Sequence, residues 1–208
     1  MLAMQRQGII FKTDMFNKLP RVPNILIGCF VLIGLSSSAH TQEVLLPPFG
    51  LQWGGEPEEL MKWASDKQLD VAVKTLSEDS KSKVIRVKSV SGSLPDHQAH
   101  ALEARYHKGE LFEVSVHYGT PNSDPNQIVN DFNELKSVLA VRYGMFSPNN
   151  KQQDKAEGFI RRSVCYHVEP VRGVILLMVL SELEDSSKGK NSARFTLIYS
   201  NQNIIPKK

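Results

Sequence analysis

The chain has 208 residues, of which 41% are hydrophobic and 23% charged, and this composition is typical of a globular protein that buries a core. Its net charge is +3, but four of the 25 basic and one of the 22 acidic residues precede residue 40. The chain after residue 39 is therefore formally neutral, which argues against the broad basic face that nucleic-acid binding requires.

A basic and then apolar stretch near the N-terminus predicts a signal peptide. The uncharged run 25–35 follows Lys18 and Arg21, and it is shorter than the roughly 20 residues that a membrane-spanning helix needs. Small residues at Ser37 and Ala39 suit the signal-peptidase site. We therefore expect cleavage after Ala39.

The predicted organisation is a leader over 1–39 and a single globular domain over 40–208 with short flexible ends. Translation from Met15 instead of Met1 would give a leader of more ordinary length, so both starts stay open. The residues before Cys29 also fit a lipoprotein signal, in which a lipid on Cys29 would anchor the protein. The main prediction is export to the periplasm or the medium, with no membrane span after the leader is removed.

The segments after the leader predict an α+β fold that contains two main helices. The first is expected to begin near Pro57, because proline is favoured in the first turn and acidic residues follow it. The second is expected over 125–143, capped by Ser123 or Asp124 and stopped at Gly144.

Alternation of apolar and polar residues predicts strands between and after these helices. We expect them at 71–76, 83–91, 101–106, 112–118, 159–169, 173–182 and 193–200. The polar, proline-containing stretch 147–153 is predicted to be a loop. The predicted fold is an antiparallel sheet of about six or seven strands with two helices packed on one face, and the element order suggests two α-then-β halves.

Two strand segments allow finer predictions. A three-residue loop over 108–110 would align the apolar residues of both flanking strands and set Arg105 opposite Glu113, whereas a two-residue loop would slip them onto opposite faces. We therefore predict the three-residue loop.

In the run 174–180, apolar residues occupy both faces, which predicts a central strand covered on both sides, with a helix on one.

Motifs for common chemistries are missing from the sequence, which has no nucleophile elbow and no phosphate-binding loop. His97, His100 and His117 are weak metal candidates, because zinc needs three or four ligands and no cysteine or placed carboxylate completes the set. Cys165 and His167 share one strand face and form a candidate nucleophile and base. The favoured interpretation is solvated strand histidines and a structural cysteine.

An aromatic and glycine-rich segment, which includes Phe49 and Trp53, precedes the first helix. Its glycines permit a tight turn in which Trp53 closes the core, and the functional alternative is an aromatic binding edge formed by these two side chains. The basic residues within 81–88 alternate with apolar ones and are interpreted as the solvated face of a strand, and Arg161 and Arg162 are the other basic candidates for nucleic-acid binding.

The predicted function is an exported, non-catalytic binding or assembly module that holds a protein or another component of the cell envelope or periplasm. We expect no cofactor and no nucleic-acid partner. The alternative is a hydrolase or metal-dependent enzyme of an unfamiliar type, which would use the histidine cluster or the Cys165–His167 pair.

The leader prediction is tested by the intact mass of the protein recovered from the exporting cell. We expect a chain that begins at His40, because Ala39 supplies the small residue before the cleaved bond. A mass with a diacylglycerol-sized addition on Cys29, or a chain that retains residues 25–35, would contradict this cleavage.

Overall fold

A computed structural model of the protein describes residues 44–76, 82–90, 92–185, 187 and 189–205. These residues contain two helices and eight strands. Their bounds are α1 Pro57–Asp66, β1 Asp70–Thr75, β2 Lys83–Lys88, β3 Ala101–His107, β4 Glu110–Tyr118, α2 Pro125–Tyr143, β5 Ser147–Ala156, β6 Phe159–Val171, β7 Val174–Asp185 and β8 Lys190–Asn201. The predicted leader, with Cys29, lies outside the described residues.

All eight strands form one antiparallel sheet in the order β1-β2-β3-β4-β8-β7-β6-β5. Each helix is followed by four strands, and β4 pairs with β8, so the last strands of the two halves meet at the centre. The α+β prediction is confirmed, but the strand count of six or seven is wrong. The predicted loop 147–153 belongs to β5, an edge strand whose side chains are all exposed and whose sequence shows no apolar alternation.

The helix boundaries follow the signals in the sequence. Helix α1 begins at Pro57, with acidic residues in its first turn. Helix α2 begins at Pro125, and the Asp124 side chain accepts a hydrogen bond of 3.0 Å from the backbone nitrogen of Asn126. It ends at Tyr143 and is capped by Gly144, whose φ of 99° is unfavourable for other residues.

In the β3–β4 hairpin the predicted three-residue loop is wrong, but most of the predicted pairing between the two strands is confirmed. Lys108 and Gly109 form a two-residue turn with positive φ angles, which suits a tight hairpin. A register shift next to Tyr106 then restores the apolar alignment, so that Arg105 lies opposite Glu113 at 3.3 Å. The bulge, rather than a longer turn, absorbs the extra residue.

The strand register divides the sheet into two faces. The first face carries the core, and α2 packs on it through Phe132, whose ring lies 5.6 Å from Phe195 and 6.1 Å from Tyr166. Leu60 and Ala64 of α1 are buried in the same core. Its buried strand residues include Ile85, Val87, Leu102, Ala104, Tyr106, Val114, Val116, Leu176, Met178, Leu180, Phe195 and Leu197.

The second face is formed by the alternate residues of the same strands. In register order it includes Arg86, Glu103, Ser115, His117, Ile198, Thr196, Leu177, Val179 and Cys165. The interior position of β7, with α2 packed on its first face, confirms one part of the prediction for 174–180, but no helix among the described residues covers its second face. Leu177 and Val179 stay partly exposed, and neither α1 nor α2 packs over them.

The loop from β4 to α2 approaches β8 closely at Gly119. A Cβ atom there would lie 2.9 Å from the Ala193 carbonyl oxygen and 3.1 Å from Cδ1 of Ile128. The φ of 82° adds backbone strain for any other residue. Because Ala193 lies in a paired strand, it has little freedom to move away.

We expect Gly119→Ala to lower the free energy of unfolding by about 1–3 kcal/mol, since it combines a steric clash with an unfavourable backbone angle. Gly189→Ala is the matched control, because Gly189 also has a positive φ but has open space at the Cβ position. Urea unfolding of both variants checks the difference. Equal losses would show that the close approach at Gly119 has no energetic consequence.

Candidate functional site

A cavity of about 670 Å³ lies on the second face, across the junction of the two halves. Three arginines line it, Arg86 from β2, Arg194 from β8 and Arg161 from β6. His100 and His117 lie in the same wall. The cavity therefore gathers positively charged and polar groups from strands that are far apart in the sequence.

The strand register explains how these residues come together. His117 of β4 lies opposite Thr196 of β8, and its Nδ1 is 3.2 Å from the Thr196 hydroxyl. Arg194 is two residues from Thr196 and so shares its face. On the other side of His117, Arg86 reaches the cavity from β2, beyond β3. His117 thus lies between arginines of the two halves.

The three cavity arginines have no carboxylate partner within the described residues. Glu103, which faces Arg86 in the register, lies 3.3 Å from Nη2 of Arg105 instead. Arg105 also lies 3.3 Å from Glu113. Glu103 and Glu113 of this face are therefore bound at Arg105, and Asp154, which lies opposite Arg161 in the register, forms no ion pair with it, so Arg86, Arg161 and Arg194 keep their donors available.

Burial and nearby positive charge favour the neutral forms of His117 and His100. Burial lowers the pKa of His117 below its usual value of 6.5 and Arg86 lowers it further, whereas Glu103 opposes them and His100 and Arg194 add smaller lowering effects. Burial also lowers the pKa of His100, with added effects of Arg86 and Lys88. Nε2 of His117 and Nδ1 of His100 are buried and have no hydrogen-bond partner in the described structure.

Such an arrangement is suited to binding an oxyanion. Arginine presents planar pairs of N–H donors that match carboxylate and phosphate oxygens. The buried imidazole nitrogens could donate as well, once an anion offsets the charges that now lower their pKa values.

The structure separates the three histidines considered as metal ligands. His97 lies on the side of the first face, where its ring packs 5.1 Å from Phe49 and 5.4 Å from Tyr118. His100 and His117 line the cavity on the second face, with ring centres 6.3 Å apart. Among the described residues no three histidine, cysteine, aspartate or glutamate side chains are placed to share a metal ion.

Cys165 and His167 share the second face of β6, as their spacing predicted, but they do not line the cavity. Burial raises the pKa of the Cys165 thiol, more than the side chain of Asn149 lowers it. A raised pKa disfavours the thiolate that a nucleophile needs.

Phe49 and Trp53 pack against the core. Nε1 of Trp53 donates a hydrogen bond of 2.8 Å to the Leu45 carbonyl oxygen, and the Phe49 ring lies 5.2 Å from that of Trp63. Both side chains are partly exposed, so a role as a binding edge stays a prediction.

Sequence reasoning missed the arginine cavity. The basic residues around Arg86 alternate with apolar ones, which predicts a solvated strand position and agrees with the exposure of Arg86. The β4–β8 pairing brings Arg86 and His117 to Arg194, whereas Arg161 is linked to Arg194 through the β6–β7 and β7–β8 pairings, and no local pattern encodes this strand order.

No protein-family model, curated protein or solved structure matches this chain. In the described ranges, neither helix combines the length and the apolar character that a membrane crossing requires.

The lowered histidine pKa values predict how stability depends on pH. Because the folded pKa values of His97, His100 and His117 lie below 6.5, the unfolded chain binds more protons, and stability should fall as the pH drops through 6.5. We expect a smaller fall between pH 7.5 and about 5.5 in His117→Gln. Urea midpoints across this range measure it. Identical pH dependence in the variant and the parent would contradict the assigned burial effect.

Proposed function

We propose that this protein is an exported, non-catalytic binding module of the cell envelope or periplasm that holds an oxyanion-bearing ligand on its second sheet face. The observation that carries the proposal is the cavity of about 670 Å³ lined by Arg86, Arg161 and Arg194, which lack carboxylate partners in the described structure. Export rests on the leader predicted over residues 1–39.

Electrostatics supports an anionic ligand. Three arginines around one cavity concentrate positive charge there, and the charges of Arg86 and Arg194 also lower the pKa of His117. An oxyanion reverses both effects and receives charge-assisted hydrogen bonds from the guanidinium groups. Binding of an oxyanion therefore compensates for the positive charges that surround the cavity in the unliganded protein.

The dimensions of the cavity support a small organic ligand. Its volume lies within the range of roughly 300–1,000 Å³ that is typical of small-molecule sites. Val179 and Leu183 line it together with the arginines, so a carbon skeleton could contact them while its carboxylate or phosphate group binds the charged residues. This combination favours an organic acid or a phosphate ester.

The test uses isothermal titration of the processed protein with inorganic phosphate and, separately, with succinate, at constant ionic strength. We expect Arg194→Gln and Arg86→Gln each to weaken binding by about 10- to 100-fold, because a hydrogen bond to a charged group contributes about 1.5–3 kcal/mol. The probe with the lower dissociation constant shows whether the site prefers a phosphate or a carboxylate.

Arg162→Gln is the matched control. Arg162 neighbours Arg161 on β6 but lies on the other face, where it pairs with Glu184 at 3.2 Å. Binding should be unchanged in this variant. If neither probe binds, or if Arg162→Gln weakens binding as much as Arg194→Gln does, the cavity is not the anion site.

A further inference from the structure

Strand β1 forms one edge of the sheet and has the properties of an unprotected edge. Within the described chain it pairs with β2 alone, and all six of its side chains are exposed. Val71 and Val73 are 40% and 53% exposed, and Leu76, just after the strand, is 54% exposed. An edge of this kind offers unpaired backbone groups beside an apolar surface.

The opposite edge of the sheet is built differently. Strand β5 contains Pro148, its pairing with β6 is irregular between Pro148 and Asn150, and it carries lysines at 151 and 155. Proline, irregular pairing and lysine are the usual means by which proteins prevent edge-to-edge association. Strand β1 also carries one lysine, Lys74, but its described residues show no proline and no irregular pairing, so the two edges differ in their capacity to pair with another strand.

The β1 sequence is complementary to itself in one antiparallel register. When two copies pair about a two-fold axis through Ala72, Asp70 lies opposite Lys74 of the other copy, and Val71 lies opposite Val73. Each pair occurs twice, once on either side of the axis. Opposite charges and branched apolar residues are favourable cross-strand neighbours.

The two faces of the sheet also remain consistent across this junction. Val71 and Val73 lie on the first face, opposite the buried Val87 and Ile85 of β2. Asp70 and Lys74 lie on the second face. Pairing would therefore extend the apolar surface of the first face from one copy to the next and keep the charged pairs on the second face.

We propose that β1 binds β1 of a second copy of this chain, antiparallel about Ala72, to form a two-fold dimer with one continuous sheet of both protomers. This surface is distinct from the arginine cavity and does not depend on the ligand proposed for it. A single strand pair buries less area than a standard stable interface, so the dimer should dissociate reversibly on dilution in the micromolar range.

Sedimentation velocity of the processed protein over a concentration series provides the first test. We expect a reversible monomer–dimer equilibrium in the parent and at least a tenfold weaker association in Lys74→Glu, which sets like charges opposite each other twice. Asp70→Lys should act in the same way, and the combined exchange Asp70→Lys with Lys74→Asp should restore the dimer. Both positions are exposed, so folding should be retained.

Lys155→Glu on β5 is the control for a simple change of net charge, and its association should match that of the parent. The register is tested by disulfide formation under mild oxidation. Ala72→Cys places a thiol opposite its own copy and should crosslink, whereas Lys74→Cys places the two thiols far apart and should not.

Three results would overturn the proposal. These are a monomer up to millimolar concentration, a dimer that Lys74→Glu leaves intact, and equal crosslinking of the two cysteine variants. Oxyanion binding measured on the same samples separates the two proposals. A monomer that binds phosphate or succinate would contradict the β1–β1 dimer and would still support the cavity as an anion-binding site.

Discussion

The pairing of β4 with β8 is the interaction on which the rest of the structure depends. Each half of the chain supplies one helix and four strands, and this pairing joins the two halves into a single sheet. It sets Val116 opposite Leu197 and Val114 opposite Tyr199, so the core continues across the junction on the first face. The register also fixes the second face, because a shift of one residue would exchange the two sets of side chains.

The same register creates the cavity. Arg86 and His117 come from the first half, and Arg161 and Arg194 come from the second. Neither half alone supplies all three arginines of the cavity. The hydrophobic alignment of the first face therefore positions the charged groups of the second face, and the proposed binding site follows from how the core is packed.

Much of the fold can be predicted from local signals. Proline and acidic residues mark the start of α1, and Asp124 and Gly144 mark the ends of α2, because capping depends on neighbouring residues only. Alternation finds the strands that have one buried face. It does not find β5, whose sequence is polar throughout, whereas the equally exposed edge strand β1 is found because Val71 and Val73 alternate with other residues.

The site could be predicted far less well, for a physical reason. Arg86, Arg161 and Arg194 each occupy an outward position of a strand, which in isolation is typical of ordinary solvated residues. Their proximity depends on the order of strands in the sheet, which is set by long-range pairing. The apolar residues on both faces of β7 were the local signal that the second face differs from a fully polar surface.

A residue-resolved NMR titration of the processed protein with phosphate or succinate, whichever binds more tightly, tests most directly whether the β4–β8 pairing forms the binding site. We expect the resonances of the His100 and His117 imidazoles of the first half and of the Arg194 and Thr196 amides of the second half to shift together, with one dissociation constant. Shifts confined to one half, or shifts that bypass the second face, would contradict a site made by the β4–β8 pairing.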